Sequence, residues 1–261
     1  SSPWLGRIAS VPFSPTERSA AAAPPHPKKT DKGPAAVKFD RKDICTRLAD
    51  GKAGRSVIGG FEPRAEQIAM AAAAFDCFTS GSKTVRLLEA GTGIGKTLAY
   101  LAVAIPFARR TGEQVIISTS SKLLQRQLME KDIPAAAALL GYPDLRFTSM
   151  KGRANYLCRS RLDGFLEDAS GGIPAPDSFS LALVSAFSRS THHGEVDRIP
   201  GVLYQMHGDL ERIRREVTSA DSTECSRANC ESLAAECVFR SARARLENAE
   251  VVVVNHDLLL R

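Results

Sequence analysis

The sequence predicts an α/β fold, a parallel sheet with helices on both faces, interrupted by an inserted and mainly helical domain. Three observations predict it. A glycine-rich turn, Glu89-Ala-Gly-Thr-Gly-Ile-Gly-Lys-Thr-Leu98, lies between an apolar run and a stretch of helical periodicity. Short β-branched runs alternate with helical patterns on either side of it. Between Lys151 and about Arg240 the alternation stops, and four of the six cysteines appear there.

Along the chain, Pro15, Pro24, Pro25, Pro27 and Pro34 fall among alanines and lysines. That composition offers too little apolar surface to offset the entropy of ordering, so residues 1–40 read as a tail or linker. Composition shifts at Phe39, and after Phe61-Glu-Pro-Arg64 the segment Ala65 to Thr79 is patterned as a helix. Val85 to Leu88 reads as the buried strand that feeds the turn, and Leu98 to Arg110 as the helix that leaves it. Val115 to Thr119, Leu145 to Ser149 and Val251 to Asn255 are further strands, with a helical stretch from Ser121 to Leu140. Residues 41–150 therefore make the first part of the sheet domain, 151–240 the insertion and 241–261 its continuation. The insertion reads as loop-rich with two helices. Gly171-Gly-Ile-Pro-Ala-Pro176 and the polar run Ser188 to Gly194 mark turns or loops. Tyr204 to Val217 has the periodicity of one amphipathic helix carrying Arg212, Arg214 and Arg215, a set that suits a solvated face better than a nucleic-acid contact. No internal repeat is found.

A hydrophobic content of 43% over 261 residues suffices for one large domain or two modest ones. The net charge of +6 and pI near 9.1 suit a polyanionic partner, although 35 basic against 29 acidic residues is a modest excess. No apolar stretch approaches the roughly 18 residues a membrane span needs. The first twelve residues, with Pro3 and Pro12, lack a secretion signal, so a cytoplasmic protein with no membrane partner is expected. The first residue is Ser1 rather than Met.

The turn carries the chemistry. Gly91, Gly93 and Gly95, with Thr92 and Ile94 between them, let backbone N–H groups converge on phosphate oxygens. Lys96 reaches β- and γ-phosphates, the Thr97 hydroxyl ligates Mg²⁺, and the helix N-terminus favours the anion. Lys96 and Thr97 are the candidate catalytic residues. Ala90 stands where the strict motif has glycine. Cys225, Cys230 and Cys237, with Cys158 upstream, form a candidate four-thiolate set in a compartment that disfavours disulfides. Their spacing is compatible with an iron–sulfur cluster, with zinc and with unliganded core cysteines.

These motifs occur together with Phe61-Glu-Pro-Arg-Ala-Glu-Gln67, Ser118-Thr-Ser-Ser-Lys-Leu-Leu-Gln-Arg-Gln127, Lys151-Gly-Arg-Ala-Asn-Tyr-Leu-Cys158 and Asn255-His-Asp-Leu-Leu-Leu260. In that order they resemble the DinG branch of the XPD-like superfamily 2 DNA helicases, from about Phe61 onward. The resemblance implies a RecA-like first motor domain, ATP with Mg²⁺, and a [4Fe–4S] cluster on Cys158, Cys225, Cys230 and Cys237. It places Arg64 and Gln67 at the adenine, the Gln67 amide offering one donor and one acceptor to the base edge. Thr119, Gln125 and Gln127 fall where the family contacts the single-strand backbone. Lys151 and Arg153 would neutralise phosphates, and Tyr156 would either stack on a base or pack in the insertion.

The implied activity is ATP-dependent movement, 5′→3′, on single-stranded DNA, with unwinding of forked, R-loop or damaged structures, in association with a larger nucleoprotein complex. The family's Asp-Glu-Ala-His box and second motor domain do not occur before Arg261. The chain is thus expected to be the N-terminal half of such a protein, without turnover by itself. Two other readings stay open on the residues alone. One is an ATP-gated nucleic-acid clamp that does not unwind, and the other a P-loop ATPase with a structural zinc site.

Overall fold

The computed structural model describes residues 39–80, 85–170, 178–191, 193–218, 225 and 237–260. The proline-rich head, the Gly171–Pro176 turn and Cys230 lie outside the described residues. Among the described residues the chain divides into two compact units, one of residues 151–245 and the other of residues 39–150 and 246–260.

The sheet-bearing unit starts with α1 (Arg41–Ala49) and α2 (Gly51–Val57), capped by the carboxylates of Asp40 and Asp50 respectively. Next come α3 (Ala65–Thr79) and α4 (Lys96–Thr111). Gly112, at φ 72°, stops α4 in the left-handed region that glycine enters without a Cβ penalty. Strand β1 (Val115–Thr119) follows, then α5 (Lys122–Gln127), a π-helical turn (Leu128–Asp132) and α6 (Ile133–Leu140). The segment ends with β2 (Phe147–Met150).

In the second unit, α7 (Arg159–Ser170), α8 (Ser178–Ser190), α9 (Gly201–Met206) and α10 (Gly208–Val217) surround a core of Leu157, Leu162, Val184, Val196, Leu210, Ile213 and Val217, and α11 (Val238–Leu246) follows with Phe239 against Tyr156. It is more helical than the loop-rich segment its composition suggested. The single helix expected over 204–217 breaks at His207, whose φ of −127° and ψ of 96° are extended. On α10, Leu210, Ile213 and Val217 are buried, while Arg214 and Arg215 pair with Glu211 and Arg212 with Asp209. The arginines thus line a solvated, salt-bridged face.

The Arg214 guanidinium, hydrogen-bonded to Glu211, pulls the Glu211 carboxyl down to about 2 from its ordinary 4.5. A depressed acid stabilises the fold above its unfolded value and loses that contribution as pH falls toward the folded value. Urea titrations of Glu211→Gln should therefore match the parent near pH 2 and fall below it above pH 4.5.

The chain returns to the sheet through β3 (Val251–Asn255) and ends in a short helix, α12 (His256–Leu259). β3 lies between β1 and β2 and pairs with both in parallel, Val115 and Phe147 each opposite Val251. Val251 to Val254 are all buried, as a central parallel strand covered on both faces requires. The core beneath joins Ile44, Leu48, Leu101, Ile105, Ile133, Leu140 and Val253.

One strand expectation is not met. Residues 85–91 are irregular, and Val85 and Leu87 are fully exposed at 102% and 95%. A parallel strand exists only where a neighbouring edge accepts its hydrogen bonds, and the three-stranded sheet of the described residues does not pair with this run. β1 likewise leaves Ile116 half exposed, so both faces of the sheet are not fully covered among the described residues. The helical stretch 121–140 is interrupted by the π turn, which sequence periodicity does not register.

Candidate nucleotide site

Gly93 and Gly95, at φ 80° and 84°, turn the chain sharply into α4, with Gly95 as its N-cap. The Lys96 ammonium folds back over this turn and donates to the carbonyls of Ala90 and Gly91, at 2.9 Å each. These are bonds to the turn's own backbone, which phosphate oxygens can replace. Tyr100 lies one helical turn on from Thr97, and its hydroxyl is pushed up chiefly by burial.

The Phe61–Thr79 segment is drawn onto the turn by two side chains. Gln67, 4% exposed, donates through Nε2 to the Gly95 carbonyl at 3.0 Å, and Arg64 donates to the Gly93 carbonyl. A Cβ on Gly95 would overlap the Gln67 amide, so this approach requires glycine. Gln67 Oε1 is buried without a hydrogen-bond partner among the described residues. A buried acceptor left unsatisfied costs about 1–3 kcal/mol, which a ligand donor would recover. A cavity of about 290 Å³ opens here, lined among others by Phe61, Arg64, Gln67, Thr97, Gln127 and Asp132. Its size, apolar aromatic wall and orphaned amide oxygen fit a nucleobase, and the adjoining glycine turn fits its phosphates.

Phe61 owes its place to Gly54. A Cβ at that position would fall inside the Phe61 ring. Gly54→Ala should therefore displace the ring and loosen nucleotide binding several-fold while α2 keeps its helical circular dichroism signal. A glycine in the middle of a short helix was the available signal, and the sequence reading missed it. It also missed Tyr100, one helical turn from Thr97, and Asp132.

The residues expected at DNA are used differently. Thr119 Oγ1 donates to the Ser121 carbonyl and accepts from the Ser121 N–H, which shapes the turn after β1. Gln125, 1% exposed, donates to the carbonyls of Met150 and Val253 at 3.0 and 2.9 Å, tying the ends of β2 and β3 together. A side chain so buried is a strap within the sheet rather than an open backbone contact. Gln127 is exposed but faces the nucleotide cavity, donating to Asp132 Oδ2 at 3.0 Å.

In the other unit, the Lys151 ammonium is buried between Glu195 at 2.8 Å and Asp197 at 2.9 Å, which withdraws it from any phosphate. The Tyr156 ring is fully buried against Phe239, and its hydroxyl accepts from the Lys151 N–H. Burial pushes that phenol up to about 12. Packing is thus the alternative that the structure realises for Tyr156. Arg153 lies over the Phe239 ring, 4.9 Å from its centre.

Cys158 is anchored by its N–H to the Val217 carbonyl, at the point where the chain leaves for residue 225. Cys237 immediately precedes α11, whose Phe239 packs on Tyr156. Val217 and Phe239 thus both lie beside the segment that carries Cys158. Cys158, Cys225 and Cys237 are half-buried, but among the described residues they do not converge into a group of three metal ligands. Among the described residues no helix is long and apolar enough to cross a membrane.

A glycine turn that caps a helix, in a unit with an all-parallel three-stranded sheet, places the chain in the α/β class. The chain is 39% identical over 201 residues to the ATP-dependent DNA helicase YoaA of Haemophilus influenzae, covering 77% of this chain and 29% of that protein. It is 36% identical over 211 residues to YoaA of Escherichia coli, covering 81% and 31%. Against the ATP-dependent DNA helicase DinG of Escherichia coli it is 31% identical over 225 residues, covering 80% and 30%. No family model matches. The chain belongs to the DinG-type helicase family. It spans about three tenths of the length of these relatives, less than the half the sequence reading expected.

Proposed function

We propose that this chain is the nucleotide-binding part of an ATP-dependent DNA helicase, with ATP held in the turn from Gly91 to Thr97. The observation that carries this is the pairing of a lysine parked on its own turn carbonyls with a buried, partnerless amide oxygen beside it. In the bound state Lys96 exchanges the Ala90 and Gly91 carbonyls for β- and γ-phosphate oxygens. The Thr97 hydroxyl would hold Mg²⁺, whose charge would neutralise the phosphates. Gln67 pairs with the adenine edge, and Arg64 steadies the turn.

The polymer substrate is single-stranded DNA, entered from forked or R-loop structures and followed 5′→3′, within a larger nucleoprotein complex in the cytoplasm. The family's helicase names and the basic charge support a DNA partner; direction and substrate shape rest on the resemblance alone. Thr119 and Arg153 are the proposed backbone contacts, with Gln125, Lys151 and Tyr156 as their supports. Cys158, Cys225, Cys230 and Cys237 are proposed to carry a [4Fe–4S] cluster, supported by the family resemblance and by a spacing that such a cluster accepts. Residues 151–240 are accordingly proposed as an inserted cluster domain.

The test is strand separation by the intact protein. Forked DNA should be unwound with ATP and Mg²⁺ and not with GTP. Tight binding of the fork without separation under any nucleotide would replace the motor with a clamp. Anaerobically purified protein should absorb near 400 nm, and a colourless protein holding zinc would refute the cluster.

A further inference from the structure

Helix α11 carries Arg240, Arg243 and Arg245 in a stretch that contains no aspartate or glutamate. On α10, by contrast, Arg212, Arg214 and Arg215 each find a carboxylate three or four residues earlier, in Asp209 or Glu211. Among the described residues neither the α11 arginines nor Arg153 has a carboxylate within ion-pairing distance. The helix is fixed in its unit by its apolar side. Phe239 packs on Tyr156, Ala242 is fully buried, and Val238 sits so close to Gly194 that a Cβ there would overlap it. Arg153 reaches the same place from the start of the unit, over the Phe239 ring, and Arg245 is close enough to Tyr156 to act on its hydroxyl through space. Two separate segments thus supply one basic surface around Phe239.

Helix electrostatics account for part of this set only. Arg243 and Arg245 lie in the last turn, where the carbonyl end of the helix favours cations. Arg240 lies in the first turn, where the same field disfavours one. A cation kept there without a carboxylate, beside others of its own sign, is relieved by a bound polyanion. The planar guanidinium fork matches two oxygens of a phosphate. Positions three apart on a helix are neighbours, so Arg240 and Arg243 can take adjacent phosphates of one strand. Arg243 is exposed and Arg240 half-buried, which leaves both heads within reach of such a strand. Resting on the DNA reading above, we propose that Arg240 and Arg243, beside Arg153, hold the phosphate backbone of single-stranded DNA on the 151–245 unit without reading its bases.

The test is fluorescence-anisotropy titration of the intact protein with a labelled oligothymidylate over a range of salt. Each phosphate contact to a single strand adds about 0.7 to the slope of log affinity against log salt. The double variant Arg240→Gln, Arg243→Gln should therefore flatten the slope by about 1.4 and weaken low-salt binding severalfold or more. Arg240→Lys with Arg243→Lys should keep most of the slope, and Arg212→Gln, which removes a cation already paired with Asp209, should leave it unchanged. An unaltered slope in the glutamine variant overturns the assignment. Equal flattening with lysine overturns it as well, since the charge would have been kept, and so does equal flattening in Arg212→Gln, which would report net charge rather than this surface. Polyglutamate that displaces the strand as well as unlabelled oligothymidylate does would replace phosphate with an acidic protein partner. Absence of any single-strand binding by the parent protein would instead remove the DNA reading on which the proposal stands.

Discussion

Lys96→Ala should lower ATP turnover of the intact protein by about a hundredfold or more, with little change in thermal stability. The first half follows from the charge the ammonium brings to the β- and γ-phosphates. Removing one positioned donor from a phosphoryl or acyl transition state commonly costs a factor of about 10²–10³. The second half follows from geometry. Among the described residues the Lys96 ammonium donates only to the carbonyls of Ala90 and Gly91, and the irregular residues 85–91 leave that end of the turn exposed. The carbonyls can therefore be hydrated once the side chain is gone. Calorimetry and a steady-state phosphate-release assay on the same preparation separate the two effects. A large drop in melting temperature would mean that the lysine is a structural clamp rather than a ligand for phosphate.

Lys151→Met should destabilise the 151–245 unit by about 3–5 kcal/mol, the usual consequence of removing one member of a buried ion pair. The Lys151 and Glu195 side chains are each only 5% exposed, and Asp197 is 16% exposed. Without the ammonium, the two carboxylates would lose the cation they share, and Arg198, beside Glu195 at 3.1 Å, offsets only part of that loss. The triple variant Lys151→Met, Glu195→Gln, Asp197→Asn should recover much of the loss, because uncharged neighbours remove the unpaired buried charge. Hydrogen exchange of residues 151–218 reads the unit directly. A Lys151→Met protein of normal stability that loses single-strand affinity, with a shallower salt dependence, would return Lys151 to the DNA backbone.

The parts of the fold that the sequence made legible are those set by local pattern. The valine-rich run of β3 and the β-branched run of β1 form strands with the boundaries their composition predicts, and α3 spans Ala65–Thr79 as its periodicity requires. The glycine turn was equally legible, since a backbone that must enter the left-handed region at Gly93 and Gly95 leaves its mark in residue type. What depended on distant partners was not. Val85–Leu88 has strand composition but no paired edge among the described residues. Gln125, Lys151 and Tyr156 carry side chains suited to DNA, yet folding spends them on sheet carbonyls, carboxylates and an aromatic neighbour. Burial is a tertiary property, and polar residues inside a motif do not announce it. Asp132 was hidden for a similar reason, because a π turn changes which side chains face the cavity without changing the apolar periodicity.

The account is most directly tested by ATP hydrolysis of the intact protein, measured with and without single-stranded DNA in Mg²⁺. It predicts slow turnover that rises severalfold or more on adding DNA, declines with salt and disappears in Lys96→Ala. Hydrolysis indifferent to DNA, or activity that survives the loss of Lys96, would contradict it.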